Sequence, residues 1–157
     1  MRKALLLLVA IMGFAFAANA QSNAIGLRLG YGNEISYQTA MGSNRLEVDL
    51  GSLDALLYHY SWNFLSLTGT YQWTFGLPVD GLGWYVGPGA MVGFYLSDYS
   101  DYNGLNIGIG GIIGLDYKFA NLPLQLSLDA RPMYSVVHPK YFNGVGYSAA
   151  FGVRYTF

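Results

Sequence analysis

From Tyr147 to Phe157 the chain alternates strictly. Large or apolar residues stand at 147, 149, 151, 153, 155 and 157, and small or polar ones at 148, 150, 152, 154 and 156. A period of two places one set on each face of a β-strand. The same pattern recurs upstream. Ile25, Leu27, Leu29 and Tyr31 oppose Gly26, Arg28 and Gly30, and Ile35, Tyr37, Thr39 and Met41 make the outer row of a second segment. Leu46, Val48 and Leu50 oppose Arg45, Glu47, Asp49 and Gly51. Leu65 to Phe75 alternates with Ser66, Thr68, Thr70, Gln72 and Thr74.

Three further segments complete the set. Trp84 to Leu96 is ambiguous in parity, because Pro88 lies among its apolar positions and proline donates nothing to a ladder. The sequence leaves open a bulge near Gly87-Pro88-Gly89, which would change the facing beyond it. Leu105, Ile107, Ile109, Ile113, Leu115 and Tyr117 oppose Asn106, Gly108, Gly110, Gly114 and Asp116. Leu124 to Met133 sets Leu124, Leu126, Leu128 and Ala130 against Gln125, Ser127, Asp129, Arg131 and Met133. Gly32-Asn33, Gly42-Ser43-Asn44, 76–83, 97–104, 119–123 and 135–145 read as turns or loops. The segment 52–62 breaks the alternation and hides the end of the third strand.

Eight alternating segments predict an all-β fold, an eight-stranded antiparallel up-and-down barrel. Residues 1–20 read as a signal peptide, with Arg2 and Lys3, an apolar run from Ala4 to Phe16, and Ala18-Asn19-Ala20 before a cleavage between Ala20 and Gln21. The barrel is then 21–157. Setting Arg2 and Lys3 aside leaves six basic residues against nine acidic ones. That balance offers no basic stripe for nucleic acid. Cysteine is absent, so neither disulfides nor thiolate metal sites arise. Scarce charge and abundant aromatics suit a chain whose outer face meets hydrocarbon. Strands cross a bilayer only as a closed barrel, since closure satisfies every backbone N–H and C=O. The expected address is therefore the outer membrane of a Gram-negative bacterium. The even strand count puts both termini in the periplasm.

On that reading Trp73, Phe75 and Trp84 form an aromatic girdle on the periplasmic side, and Tyr58, Tyr60, Trp62 and Phe94 one toward the exterior. The inner face collects Arg28, Arg45, Arg131 and Arg154 against Glu47, Asp49, Asp116 and Asp129. An eight-stranded barrel is just wide enough for its side chains to fill. These charges are thus expected to pair as a salt-bridge plug rather than line an open, porin-like path.

The chain resembles the small eight-stranded outer-membrane barrels of the OmpX and OmpA-barrel type. The resemblance rests on Leu67-Thr68-Gly69-Thr70-Tyr71-Gln72-Trp73, Trp84-Tyr85-Val86-Gly87-Pro88-Gly89, Pro123-Leu124-Gln125-Leu126-Ser127-Leu128-Asp129 and the closing aromatic strand. It implies recognition by the barrel-assembly machinery through Phe151, Tyr155 and Phe157. It also implies contact with membrane lipid and lipopolysaccharide, and no cofactor. The expected role is structural, in envelope integrity, or surface interaction with a partner protein through Tyr-rich loops such as 98–102. Two alternatives stay open. One is a lipid-modifying or proteolytic enzyme at the rim, built on His59 or His138 with Ser61, Asp54, Ser135 or Asp98. The other is a soluble periplasmic barrel holding a ligand, in which the apolar faces would point inward. No metal site is expected, because the two histidines lie on different loops.

Overall fold

The computed structural model describes residues 23–30, 32–51, 62–97, 103–139 and 144–157, except for the side chains at 62, 63, 96 and 97. The proposed signal segment, with Ala20 and Gln21, lies outside these residues. So do Tyr58, Tyr60, His59, Asp54, Ser61 and Asp98.

Eight strands follow one another: β1 (Asn23–Gly30), β2 (Glu34–Met41), β3 (Asn44–Gly51), β4 (Trp62–Gly76), β5 (Leu82–Ser97), β6 (Gly104–Lys118), β7 (Leu124–Val137) and β8 (Val145–Thr156). Each pairs antiparallel with its chain neighbours, and β8 returns to β1, so the sheet is a closed barrel. The seam runs from Ala24 opposite Thr156 to Gly30 opposite Ala150. Asn23 and Phe157 exchange backbone hydrogen bonds of 3.0 and 2.9 Å just beyond it. Closure leaves no exposed edge along the paired stretch.

One end of the barrel carries Asn23, Phe157 and three short turns. The tightest is Gly42-Ser43, where Gly42 takes a φ of 66° that an L side chain rarely adopts. The other end carries the three-residue β1–β2 connection and the three longest ones, after β3, β5 and β7. β1 to β3 have eight residues each, whereas β4 to β7 have fourteen to sixteen. At roughly 3.3 Å per residue a strand of fifteen spans about 50 Å along its own axis. Tilted by about 40°, that exceeds the roughly 25 Å apolar band of an outer-membrane barrel. The long strands therefore rise past the short ones at the connection end.

The polarity is that of a barrel turned inside out. Among the described residues the buried apolar side chains are Ala24, Tyr85, Ile112 and Ala150, while nineteen polar or charged residues are buried. Arg154 is 0% exposed and Leu128, on the opposite face of the neighbouring strand, 60%. The arrangement expected of a soluble ligand-holding barrel, with apolar faces inward, is not the one observed.

Two local expectations are corrected. No bulge occurs at Gly87-Pro88-Gly89. Thr70 pairs with Gly89 and Trp73 with Val86, so the β4–β5 register is unchanged across the proline. The β5–β6 ladder runs unbroken through Pro88 opposite Gly111. The missing N–H is absorbed by a lapse in pairing with β4 at Tyr71 and Gln72, and the facing of β5 never flips. Trp84, Val86, Ala90, Val92 and Phe94 stay on the outer row. The irregularity lies in β7 instead. The register shifts where Ile107 pairs with Val137 but Gly108 with Ser135. The extra residue, Val136, carries β7 on to Val137, so most of the loop expected at 135–145 is reduced to 138–144.

Candidate functional site

The inner face of the barrel is where this chain concentrates its chemistry. Alternation brings Arg28 (β1), Glu34 (β2), Arg45, Glu47 and Asp49 (β3), Asp116 (β6), Asp129 and Arg131 (β7) and Arg154 (β8) into one interior. Arg28 donates to Glu34 at 2.7 Å and, through Nε and Nη2, to Asp129. Arg131 bridges Asp49 and Glu34, the second at 3.2 Å, with Glu47 3.5 Å away. Arg154 donates to Glu47, and also to Ser36 at 2.8 Å and Ser127 at 2.7 Å. Arg45 pairs with Asp116 at 2.6 Å, where Gln125 adds a bond of 2.9 Å.

Two uncharged residues join these pairs into one network. Gln72 of β4 accepts from Arg45 Nε and donates to Glu47. Tyr85 of β5 donates to Asp129 at 3.1 Å, and the Arg45 guanidinium stands 4.3 Å from its ring centroid. Every strand of the barrel thus contributes a side chain. Glu47 is the hub: besides its guanidinium neighbours it accepts from Ser36 at 2.7 Å and Gln38 at 3.1 Å. Pairs this deeply buried forgo hydration and depend on such satisfaction of their remaining lone pairs.

Sequence reasoning missed Glu34 and Tyr85. Glu34 follows the Gly32-Asn33 turn, yet its parity with Ser36 and Gln38 marks it as inward. Its presence makes the buried set five carboxylates to four guanidiniums rather than an even match. Tyr85 lay on the strand of uncertain parity. It is wholly buried, so Tyr85→Phe should cost about 1.5–3 kcal/mol through loss of one hydrogen bond to a charged acceptor. Urea unfolding in detergent checks this; an unmoved midpoint would remove the hydroxyl from the network.

Around this cluster lie two cavities. Arg45, Asp116 and Gln125 border one of about 580 Å³ at the turn end. Glu34 and Arg131 border another, of about 470 Å³, at the connection end. The described residues hold no group of three or more His, Asp or Glu arranged to take a metal ion. His138 Nδ1 lies 3.0 Å from the Pro139 carbonyl oxygen.

The outer face carries the aromatic rows. Phe75 stacks on Trp84 with ring centroids 4.5 Å apart, and Tyr71 meets Trp73 edge-on at 5.9 Å. Tyr117 with Phe119, and Tyr155 with Phe157, add two more pairs near the turn end. Phe94 and Phe151 also face outward and are exposed. The Trp62 side chain is outside the described set.

No protein-family model and no curated protein matches this sequence. Among solved structures, the crystal structure of the N-terminal β-barrel domain of Pseudomonas aeruginosa OprF matches with a TM-score of 0.56 and 21% identity, over 88% of this chain and 100% of that one. This chain has the fold of the OprF barrel domain. The resemblance to small eight-stranded outer-membrane barrels therefore holds at the level of architecture: eight antiparallel strands, closed on themselves.

Proposed function

We propose that the chain is an integral outer-membrane barrel with a structural role in the envelope, its lumen closed by the ion-pair network. The inverted polarity carries this reading. Leu, Ile, Val and aromatic side chains stand exposed around the outside, while the guanidiniums and carboxylates turn inward. In water that outer band would be an apolar patch far beyond what a monomer tolerates. In hydrocarbon it is the favourable face, and closure removes every unpaired strand edge. The OprF-like fold supports the same reading. The rings near the turn end, Trp73, Phe75, Trp84, Tyr117 and Tyr155, would sit at one membrane interface, with Phe94 toward the other. Phe151 and Tyr155 on the outward row of β8, with Phe157 just beyond the strand, are what the assembly machinery would read. The termini and short turns would face the periplasm.

A structural role without an open pore follows from the interior. The network draws on all eight strands and fills the waist of a barrel too narrow to hold both these side chains and a wide aqueous path. The test is planar-bilayer recording of the purified, folded protein. The expected record shows no sustained ionic current at neutral pH. Stable, long-lived conductance steps would contradict a closed lumen and favour a channel.

A further inference from the structure

The cavity at the connection end differs from the rest of the interior. Elsewhere the described inner face is mostly charged, amide, hydroxyl or glycine, with Ala24, Ile112 and Ala150 as its small or isolated apolar members. Here Phe64, Met91, Tyr95 and Met133 line it, and the Phe64 and Tyr95 rings lie 4.4 Å apart. Inward side chains meet no lipid, so their apolar surface gains nothing from the membrane and is better covered than wet. Glycines opposite them let the side chains lie flat. A Cβ on Gly93 would stand 2.6 Å from the Phe64 ring, and one on Gly110 2.7 Å from the Met133 sulfur. The space kept open is about 470 Å³, within the range of small-molecule sites. Methionine walls adapt to varied apolar shapes.

The polar groups of this chamber narrow the choice of occupant. Asn106 and Arg131 both line it and both are more than nine-tenths buried. Among the described residues, Asn106 Oδ1, an acceptor, and Arg131 Nε, a donor, have no hydrogen-bond partner. Buried polar atoms without partners are rare, and each costs free energy until satisfied. One head group that both donates and accepts would complete the pair. It should carry no net charge, because Glu34 and Arg131 both border the chamber and either sign would face its like.

We infer that this chamber binds a small uncharged amphiphile, an apolar body with a primary amide or hydroxyl head, seated between the Phe64–Met91–Tyr95–Met133 wall and the Asn106–Arg131 floor. The site rests on the geometry of the barrel and goes beyond the structural role proposed above; it holds whichever membrane the barrel occupies.

The test uses the full folded barrel in detergent with its methionine methyl groups isotopically labelled, followed by NMR. Phenylacetamide is titrated beside phenylacetate and phenethylamine, which share the ring and differ in head charge. Met41 faces outward and reports nonspecific uptake into the detergent shell. The expected result is a saturable shift of the Met91 and Met133 methyls with the amide and a flat Met41. Both charged analogues should bind at least tenfold more weakly. Asn106→Leu should weaken the amide by about tenfold, the value of one hydrogen bond. Methyls that stay still, shifts that follow Met41, equal response to all three probes, or undiminished binding by folded Asn106→Leu would each overturn the assignment. Should that variant fail to fold, the three-probe comparison on the unaltered chain decides alone.

Discussion

Replacing Glu47 with alanine is expected to lower the stability of the folded barrel by about 3–5 kcal/mol, the usual cost of removing one partner from a buried ion pair. Glu47 accepts hydrogen bonds from Arg154, Ser36, Gln38 and Gln72. Its loss leaves the Arg154 guanidinium, wholly buried, with only two serine hydroxyls. Arg131 loses a neighbouring carboxylate 3.5 Å away. The penalty is thus mainly that of a stranded charge, and this makes a second result distinguishable. Combining Glu47→Ala with Arg154→Leu removes both charges, so the double variant should be more stable than Glu47→Ala alone. Urea unfolding followed by tryptophan fluorescence measures both. An unmoved midpoint for Glu47→Ala, or a double variant weaker than the single, would contradict a network held by mutual charge compensation.

A comparable loss is expected from one methyl group at the seam. A Cβ on Gly26 would stand 2.0 Å from the Val153 carbonyl oxygen and 2.6 Å from the Arg154 Cα. Both are backbone atoms of β8, so nothing can swing aside; β1 and β8 must move apart. Those strands close the barrel, and displacing them exposes ladder groups that lipid cannot satisfy. Gly26→Ala should therefore cost about 3 kcal/mol or more, at or above the upper end of ordinary overpacking, or prevent closure. Gly69→Ala is the matched control. Nothing lies within 4 Å of its Cβ position, so the change should stay within about 0.5 kcal/mol. Comparing the two by gel mobility and urea midpoint separates a steric demand at the seam from a general intolerance of alanine. Equal behaviour of the two would remove the seam from the explanation.

The facing of most strands was legible because apolar and polar residues differ in kind along them. Arg28 between Leu27 and Leu29, or Arg154 between Val153 and Tyr155, admits one parity. β5 resisted because rings occur on both of its faces, as in Trp84-Tyr85 and Phe94-Tyr95, and glycine separates them. Its register with β4 and β6 sets Tyr85 inward. The end of β7 resisted for a different reason. Val136 and Val137 follow one another because a bulge there breaks the period, and alternation reads such a break as a loop.

The partners within the interior were not legible either. Arg28 and Asp129 are 101 residues apart and sit on strands separated by β8. Their meeting depends on strand stagger around a closed cylinder, which no local pattern encodes. Glu34 was available from its parity with Ser36 and was obscured by the adjacent turn. The apolar chamber at the connection end follows from Phe64 continuing the inward row of β4, otherwise Ser, Thr and Gln, and Met91 that of β5, otherwise glycine and tyrosine.

The most direct measurement is electrophoretic mobility of the envelope fraction in detergent, with and without boiling. A lipid-facing closed barrel should be recovered with the outer membrane, migrate as a compact species when unheated, and shift to the mobility of the unfolded chain after boiling. Recovery in the soluble fraction with no heat-dependent shift would contradict a membrane barrel closed by its own interior charges.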